Sequence, residues 1–355
     1  MTMVKHVVMI HERFPPDYAG GGEYVVHQMA KHLQARGIRI TVLTTGDPEQ
    51  TEFDGIKTIR IPCSVYAFNL KASVLLPYCH DADVIQAFTY HSVIPATRVA
   101  STLNIPLVKM MLALFGKEWR TMKGPVVGRL FEWFERKLVI MPAAKDIYIS
   151  DFSQRYAESM GISTAESVVI EPGISLEDYT PGDKSFVMFA GKLNPRKGLQ
   201  QVITAARSLP QVEFVITGWG SHTAMAELND LPNVRFEPFT NRLAMADLLS
   251  RAAIFVFPTR VETFGLAVAE AMASGCAIVS SSELPFAGIK VDATDSQAIA
   301  EAIQQLINDP ERMKRDGQKN RETALKYNWQ SHTDDLLAVY QQVKQSMMSE
   351  NGLVT

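Results

Sequence analysis

The chain has 355 residues, 46% hydrophobic and 21% charged, with 35 Lys and Arg against 38 Asp and Glu for a formal charge of −3. That length suits two domains, and the apolar content excludes a mostly disordered chain. The near-neutral balance argues against a nucleic-acid binder that neutralises phosphates over a large surface.

Cys63, Cys79 and Cys276 lie far apart, and none forms a CxxC pair. Neither a zinc site nor a disulfide framework is suggested, and a reducing, cytoplasmic compartment is the simpler expectation. The apolar run Val7 to Ile10 is too short for the core of a secretion signal. No stretch reaches the roughly 18 uninterrupted apolar residues of a membrane span. The expectation is a soluble protein, or one attached at most to a membrane surface.

In chain order, Val4 to Ile10 reads as a strand, followed by a Pro- and Gly-rich loop from Pro15 to Gly22. Val25, Val26, Met29, Ala30 and Leu33 then share one helix face, Gly37 suits a helix end, and Ile38 to Leu43 reads as a second strand. This β-α-β unit implies a parallel sheet. The pattern recurs with a strand at Phe186 to Ala190, a loop from Gly191 to Gly198, and a helix carrying Leu199, Val202, Ile203 and Ala206. A strand at Val212 to Thr217 ends in Gly218-Trp219-Gly220; later come a strand at Ala253 to Phe257, a helix at Phe264 to Ala273 and a strand at Ala277 to Val279. Glu171-Pro172-Gly173 interrupts both periodicities and is the expected linker.

Ligands of open parallel sheets bind beyond the carboxyl ends of the strands, and three loops there carry informative residues. Gly20-Gly21-Gly22 precedes a helix, where backbone amides and the helix dipole favour an anion; a plain flexible turn reads equally well. It is not a GxGxxG fingerprint, and there is no GxxxxGK[ST] loop. From Gly191 to Gly198 the cations Lys192, Arg196 and Lys197 sit between a buried strand and a helix. That position favours a diphosphate clamp over a solvated charge cluster, with Arg196 able to act bidentately if it turns inward. In the third loop Glu262 precedes a helix whose apolar run Leu266 to Ala271 contains Glu270, a carboxylate that needs a partner if buried. Phe264-Gly265 places free amides at that helix start.

Glu262 to Glu270, as Glu-Thr-Phe-Gly-Leu then Ala-Val-Ala-Glu, resembles the E-x7-E motif of retaining glycosyltransferases of the GT-B fold, and most closely glycosyltransferase family 4, the glycosyl transferases group 1 proteins. Gly20-Gly21, Gly191-Lys192-Leu193 through Lys197-Gly198, and Gly218-Trp219-Gly220 resemble the family's loops in the same order. Tyr327-Asn328-Trp329 resembles the point where the final helix crosses back to the N-terminal domain. The resemblance implies two Rossmann-like, doubly wound domains facing each other across a cleft. These are an acceptor-side domain at 1–172, with a C-terminal helix from about 330 to 355 packing back on it, and a nucleotide-sugar domain at 173–329.

The implied activity is retaining, metal-independent transfer of a sugar, without a cofactor, from a nucleoside diphosphate sugar to a carbohydrate or lipid-linked acceptor. UDP- or GDP-sugars are the expected donors, and polysaccharide or glycoconjugate biosynthesis the expected setting. Carried over, Glu270 would bind the ribose hydroxyls. Lys192 and Lys197 would neutralise the diphosphate, and Glu262 would face the donor sugar. Gly20, Gly21, Gly22, Gly191, Arg196, Gly218, Phe264, Gly265 and Leu266 would complete the donor site, with Phe239 bordering the base. The family's usual Arg after the strand glycine is Lys192 here, and its active-site His is missing from Lys109 to Ala113. His91 is the nearest acceptor-side candidate, against a purely structural role. The alternatives are a GT-B epimerase or hydrolase of nucleotide-sugars and a non-catalytic nucleotide-sugar binder.

Lys117 to Lys145 holds seven Lys and Arg against three Glu, with Phe115, Trp119, Phe131, Trp133 and Phe134 in or beside it. Such a stretch can lie on an anionic membrane surface, or pack its aromatics inward and solvate its cations.

Overall fold

The computed structural model describes residues 3–17, 20–220, 228, 230–350 and 352. Tyr18 and Ala19 of the glycine-rich loop, and the last residues of the expected C-terminal helix, lie outside the described residues. The chain divides into two compact units: one holds the chain up to Gly173 and again from Trp329, the other Ile174–Asn328.

The first unit is built on β1 (His6–Ile10), β2 (Arg39–Thr45), β3 (Glu52–Phe53), β4 (Ile56–Ile61), β5 (Val84–Phe88), β6 (Leu107–Met111), β7 (Lys145–Tyr148) and β8 (Ser167–Val169), in sheet order β3-β4-β2-β1-β5-β6-β7-β8. Every pairing is parallel except β3 with β4. β1, β5 and β6 are buried along their whole length. That burial is why they read as continuous apolar runs rather than alternating ones. Val8, Ile10, Leu43, Phe68, Ile85, Val99 and Leu107 form the core on one face.

The second unit holds β9 (Phe186–Leu193), β10 (Phe214–Gly220), β11 (Val234–Pro238), β12 (Ala252–Phe257), β13 (Ala277–Ser280) and β14 (Gly288–Lys290), in order β11-β10-β9-β12-β13-β14 and parallel throughout. β9 extends through Gly191-Lys192-Leu193, which the sequence reads as loop, because these residues pair with Gly218-Trp219-Gly220 of β10. Glycine permits the closeness: a Cβ on Gly218 would stand 1.9 Å from the Gly191 carbonyl oxygen.

Helix Trp329–Glu350 belongs to the first unit and is tied to it at both ends. The Trp329 ring stacks on His32 at 5.4 Å, Arg36 pairs with Asp334 at 2.7 Å, and the Lys344 ammonium donates to Asp83 at 2.7 Å. Asp83 also accepts from the amides of Lys5 and His6, while Asp81 pairs with Arg39. Both aspartates of Asp81-Ala82-Asp83 therefore serve strand starts, at the sheet edge away from the carboxyl ends. Among the described residues no helix is long and apolar enough to cross a membrane.

Candidate functional site

In the second unit the chain leaves β9 toward β10 and β11, then returns to place β12 on the other side of β9 and continues to β13 and β14. The sheet's topological switch point is therefore between β9 and β12, the place where crevices for ligands open. The loops after these two strands carry Lys197 and Glu262.

Lys197 sits in the short 3-10 turn Pro195–Lys197, whose geometry is fixed by Asn194: its side-chain oxygen accepts from the Lys197 amide at 3.1 Å. The ammonium of Lys197 pairs with a Glu262 carboxylate oxygen and lies 4.8 Å from the centre of the Phe257 ring. Burial pulls the Lys197 pKa down, and the Glu262 charge opposes that shift. The result is a largely enclosed cation paired with a carboxylate and resting on an aromatic face.

Arg196 faces elsewhere. Its Nη1 donates to the Val261 carbonyl at 2.8 Å, and its own carbonyl accepts from the Arg260 amide at 2.9 Å. It stitches the β9 and β12 loops together, whereas the sequence offers it as a bidentate phosphate ligand. Lys192 is exposed at the end of β9.

Gly265 starts helix Leu266–Ala273 with φ +98°, a left-handed conformation that favours glycine. Phe264 is buried edge-to-face against Tyr327 at 5.2 Å. Leu266, half-buried, opens the helix.

Glu270 lies within that helix and is 2% exposed. Its carboxylate pairs with Arg242 and accepts from the Tyr179 hydroxyl. Burial raises its pKa, with Arg242 and then Tyr179 opposing. Neither partner is evident in the sequence, because Arg242 opens a separate helix, Arg242–Arg251, capped by Asn241. At the carboxyl ends of β10 and β11, Trp219 and Phe239 form an aromatic pair with centroids 5.4 Å apart. Gly191 and Gly218 lie in the paired strand ends beneath it.

In the first unit the switch point falls between β1 and β5. Gly20 to Gly22 open helix Gly21–Ala35 there. The Gly20 amide is not open to an anion as the sequence suggests, since it donates to the Glu23 carboxylate at 2.9 Å. The loop before it is held by buried Arg60, which donates to the carbonyls of Phe14, Pro15 and Gln50. His91, after β5, is half-buried; its Nδ1 lies 2.8 Å from Asn69 Nδ2 and its ring packs edge-on to Tyr66. Burial, and then the Arg13 charge, lower its pKa. His91 thus packs among Asn69, Tyr66 and Phe134.

After β6, where the sequence lacks the family histidine, the loop is pinned from two sides. Thr89 Oγ1 accepts from the amides of Leu112 and Ala113. Buried Glu135 accepts from the amides of Phe115 at 2.9 Å and Gly116 at 2.7 Å, from Trp119 Nε1 at 3.0 Å and from the Tyr90 hydroxyl at 2.8 Å. Sequence reading counts Glu135 only as a charge on a basic segment. Replacing Glu135 with Leu should leave two amides without acceptors, at about 1–3 kcal/mol each. A lower melting temperature and faster amide exchange at Phe115 and Gly116 are expected; unchanged exchange would show that the loop holds itself.

A two-unit architecture of parallel sheets with charged groups gathered at a switch point defines a GT-B type scaffold. Residues 19–178 match the Glycosyltransferase Family 4 model, and residues 177–323 match Glycosyl transferases group 1. The chain is 27% identical to D-inositol 3-phosphate glycosyltransferase 1 of Catenulispora acidiphila, over 91% of this chain and 90% of that one. Among solved structures it resembles sucrose-phosphate synthase from Thermosynechococcus elongatus, with a TM-score of 0.85, 20% identity and coverage of 96% and 100%. It also resembles Anabaena Alr3699/HepE, solved in complex with UDP and glucose, with a TM-score of 0.78, 17% identity and coverage of 95% and 100%. The chain belongs to the GT-B glycosyltransferases, joining a family 4 half to a group 1 half.

Proposed function

We propose that the protein transfers a sugar from a nucleoside diphosphate sugar to a hydroxyl of a carbohydrate or lipid-linked acceptor, with retention of anomeric configuration. The observation that carries this reading is the Lys197–Glu262 pair across the β9/β12 switch point. Breaking the anomeric C–O bond leaves negative charge on the departing diphosphate and an oxocarbenium-like sugar. A preorganised, largely desolvated ammonium stabilises that charge as it forms, while Glu262 lies close enough to the same point to meet the sugar ring. Lys192 and the amides at the Gly265 helix start supplement the cation, and the reading keeps the metal independence that the sequence resemblance implies. Glu270 supplies a carboxylate suited to accept from paired ribose hydroxyls. Trp219 and Phe239 offer apolar faces to a base. The UDP held by Alr3699/HepE supports a uridine nucleotide as donor.

A thermal-shift panel of uridine, guanosine and adenosine diphosphates tests this. A ligand at 100 times its Kd adds about 2.7 kcal/mol to the folded state. Uridine diphosphate is expected to raise the melting temperature of the native chain and not of Glu270→Ala. The reading falls if inorganic pyrophosphate gives the same rise, or if Glu270→Ala retains it.

A further inference from the structure

Helix Pro125–Val139 is apolar on two opposite faces. One face packs inward through Gly128, Glu135, Leu138 and Val139. The aromatics that the sequence interleaves with its cations mostly join that side: Trp119 packs on Phe131 at 4.9 Å, Phe115 stacks on Tyr90, and Phe134 lies near His91. The opposite face carries Val126, Leu130 and Trp133, spaced by four and three residues, at 79%, 61% and 56% exposure. Val127 and Ile140 are exposed beside this stripe. A surface helix normally turns its apolar stripe to the core and a polar face to water. Here the core-facing need is already met, and a second stripe remains.

The charges around the stripe are of one sign. Arg129, Arg136 and Lys137 are exposed on the same helix, with the Lys137 ammonium 5.9 Å from the Trp133 ring centre. The helix's two carboxylates are both withdrawn from the outward face: Glu135 is buried, and Glu132 pairs with Arg120 at 2.7 Å.

We infer that this face docks on an anionic lipid bilayer, with Val126, Leu130 and Trp133 entering the headgroup boundary and Arg129, Arg136 and Lys137 at the phosphate level. Tryptophan and long cationic side chains suit that boundary, since each has an apolar body and a polar end. A second copy of the chain fits the face poorly, because apposing two such helices would bring their cations together. The surface goes beyond the transfer chemistry, and only its use in reaching a lipid-linked acceptor rests on the proposed function.

Flotation of the full chain with vesicles tests the inference without requiring turnover. Binding is expected to phosphatidylcholine vesicles containing phosphatidylglycerol, weaker binding to phosphatidylcholine alone, and release as salt rises. Arg129→Gln and Lys137→Gln should each lower the partition constant about fivefold, from roughly 1 kcal/mol per cation near the surface. Leu130→Ser with Trp133→Ser should abolish binding while leaving the melting temperature within a degree or two, since both side chains face water. Absence of binding at low salt, or full binding by the doubly substituted chain, overturns the proposal. So does a concentration-dependent dimer, abolished by the same substitutions, in a chain that ignores vesicles.

Discussion

Replacing Lys197 with Met is expected to lower the rate of sugar transfer by about 10²- to 10³-fold, the usual cost of removing one preorganised group that meets developing charge. The loss should appear in kcat, because the departing diphosphate gains negative charge as the anomeric bond breaks. Ground-state binding keeps its other contacts. Lys192→Ala should cost far less, since that ammonium is exposed and water screens it. Lys197→Arg is a sharper probe than it looks. The charge stays, but a planar guanidinium must fit the space between Glu262 and the Phe257 ring. Partial recovery is expected, short of the native rate. If Lys197→Met transfers at the native rate, the cation at the switch point is structural and the leaving group is met elsewhere. The Glu262→Gln and Lys197→Met pair should combine non-additively, because each removes the other's partner.

Much of this was open to reading along the chain, for a physical reason. Parallel strands buried on both faces are continuous apolar runs, so β1, β9 and β12 stand out, and the helices between them show their 3.6-residue period. The order of loops follows from the order of strands, which brings Lys197 and Glu262 to adjacent strand ends although they are 65 positions apart in the chain. What the chain conceals is pairing between distant side chains. Nothing in the surroundings of Arg242 marks it as the partner of Glu270, 28 residues away on another helix. Arg196 and Lys197 are neighbours of equal charge, yet one braces a loop carbonyl and the other meets a carboxylate. That division is set by the 3-10 turn, not by composition. The extension of β9 was hidden because Gly191 has little strand propensity of its own; it is the close partner Gly218 that makes the pairing possible. The basic aromatic segment shows the same limit. Its composition admits both an inward and an outward aromatic face, and only packing assigns Phe131 inward and Trp133 outward.

Removing Arg242 should produce a large change in stability and one with a distinctive pH dependence. Breaking a buried ion pair from one side costs about 3–5 kcal/mol, because the remaining charge is left without compensation. Arg242 is itself about a quarter exposed, so solvent already weakens the pair, and about 2–3 kcal/mol is a fairer expectation for Arg242→Gln. For a unit of this size that is a fall in melting temperature of about 5–10 °C. In the native protein burial raises the Glu270 pKa while Arg242 holds it back. Without Arg242 the folded-state pKa rises further above the unfolded one, so the folded state binds the proton more tightly. The variant's deficit is then full above its own folded pKa for Glu270 and shrinks as pH falls toward the native protein's folded pKa, below which both chains hold the proton and the difference levels off. Adding Glu270→Gln to Arg242→Gln removes the stranded charge, so the double variant should be more stable at pH 8 than Arg242→Gln alone, while lacking the uridine diphosphate shift. Melting curves between pH 5 and pH 8 decide the matter. A deficit of equal size across that range, or simple addition of the two substitutions, would mean that Arg242 acts through packing and that Glu270 bears no unpaired charge when it is gone.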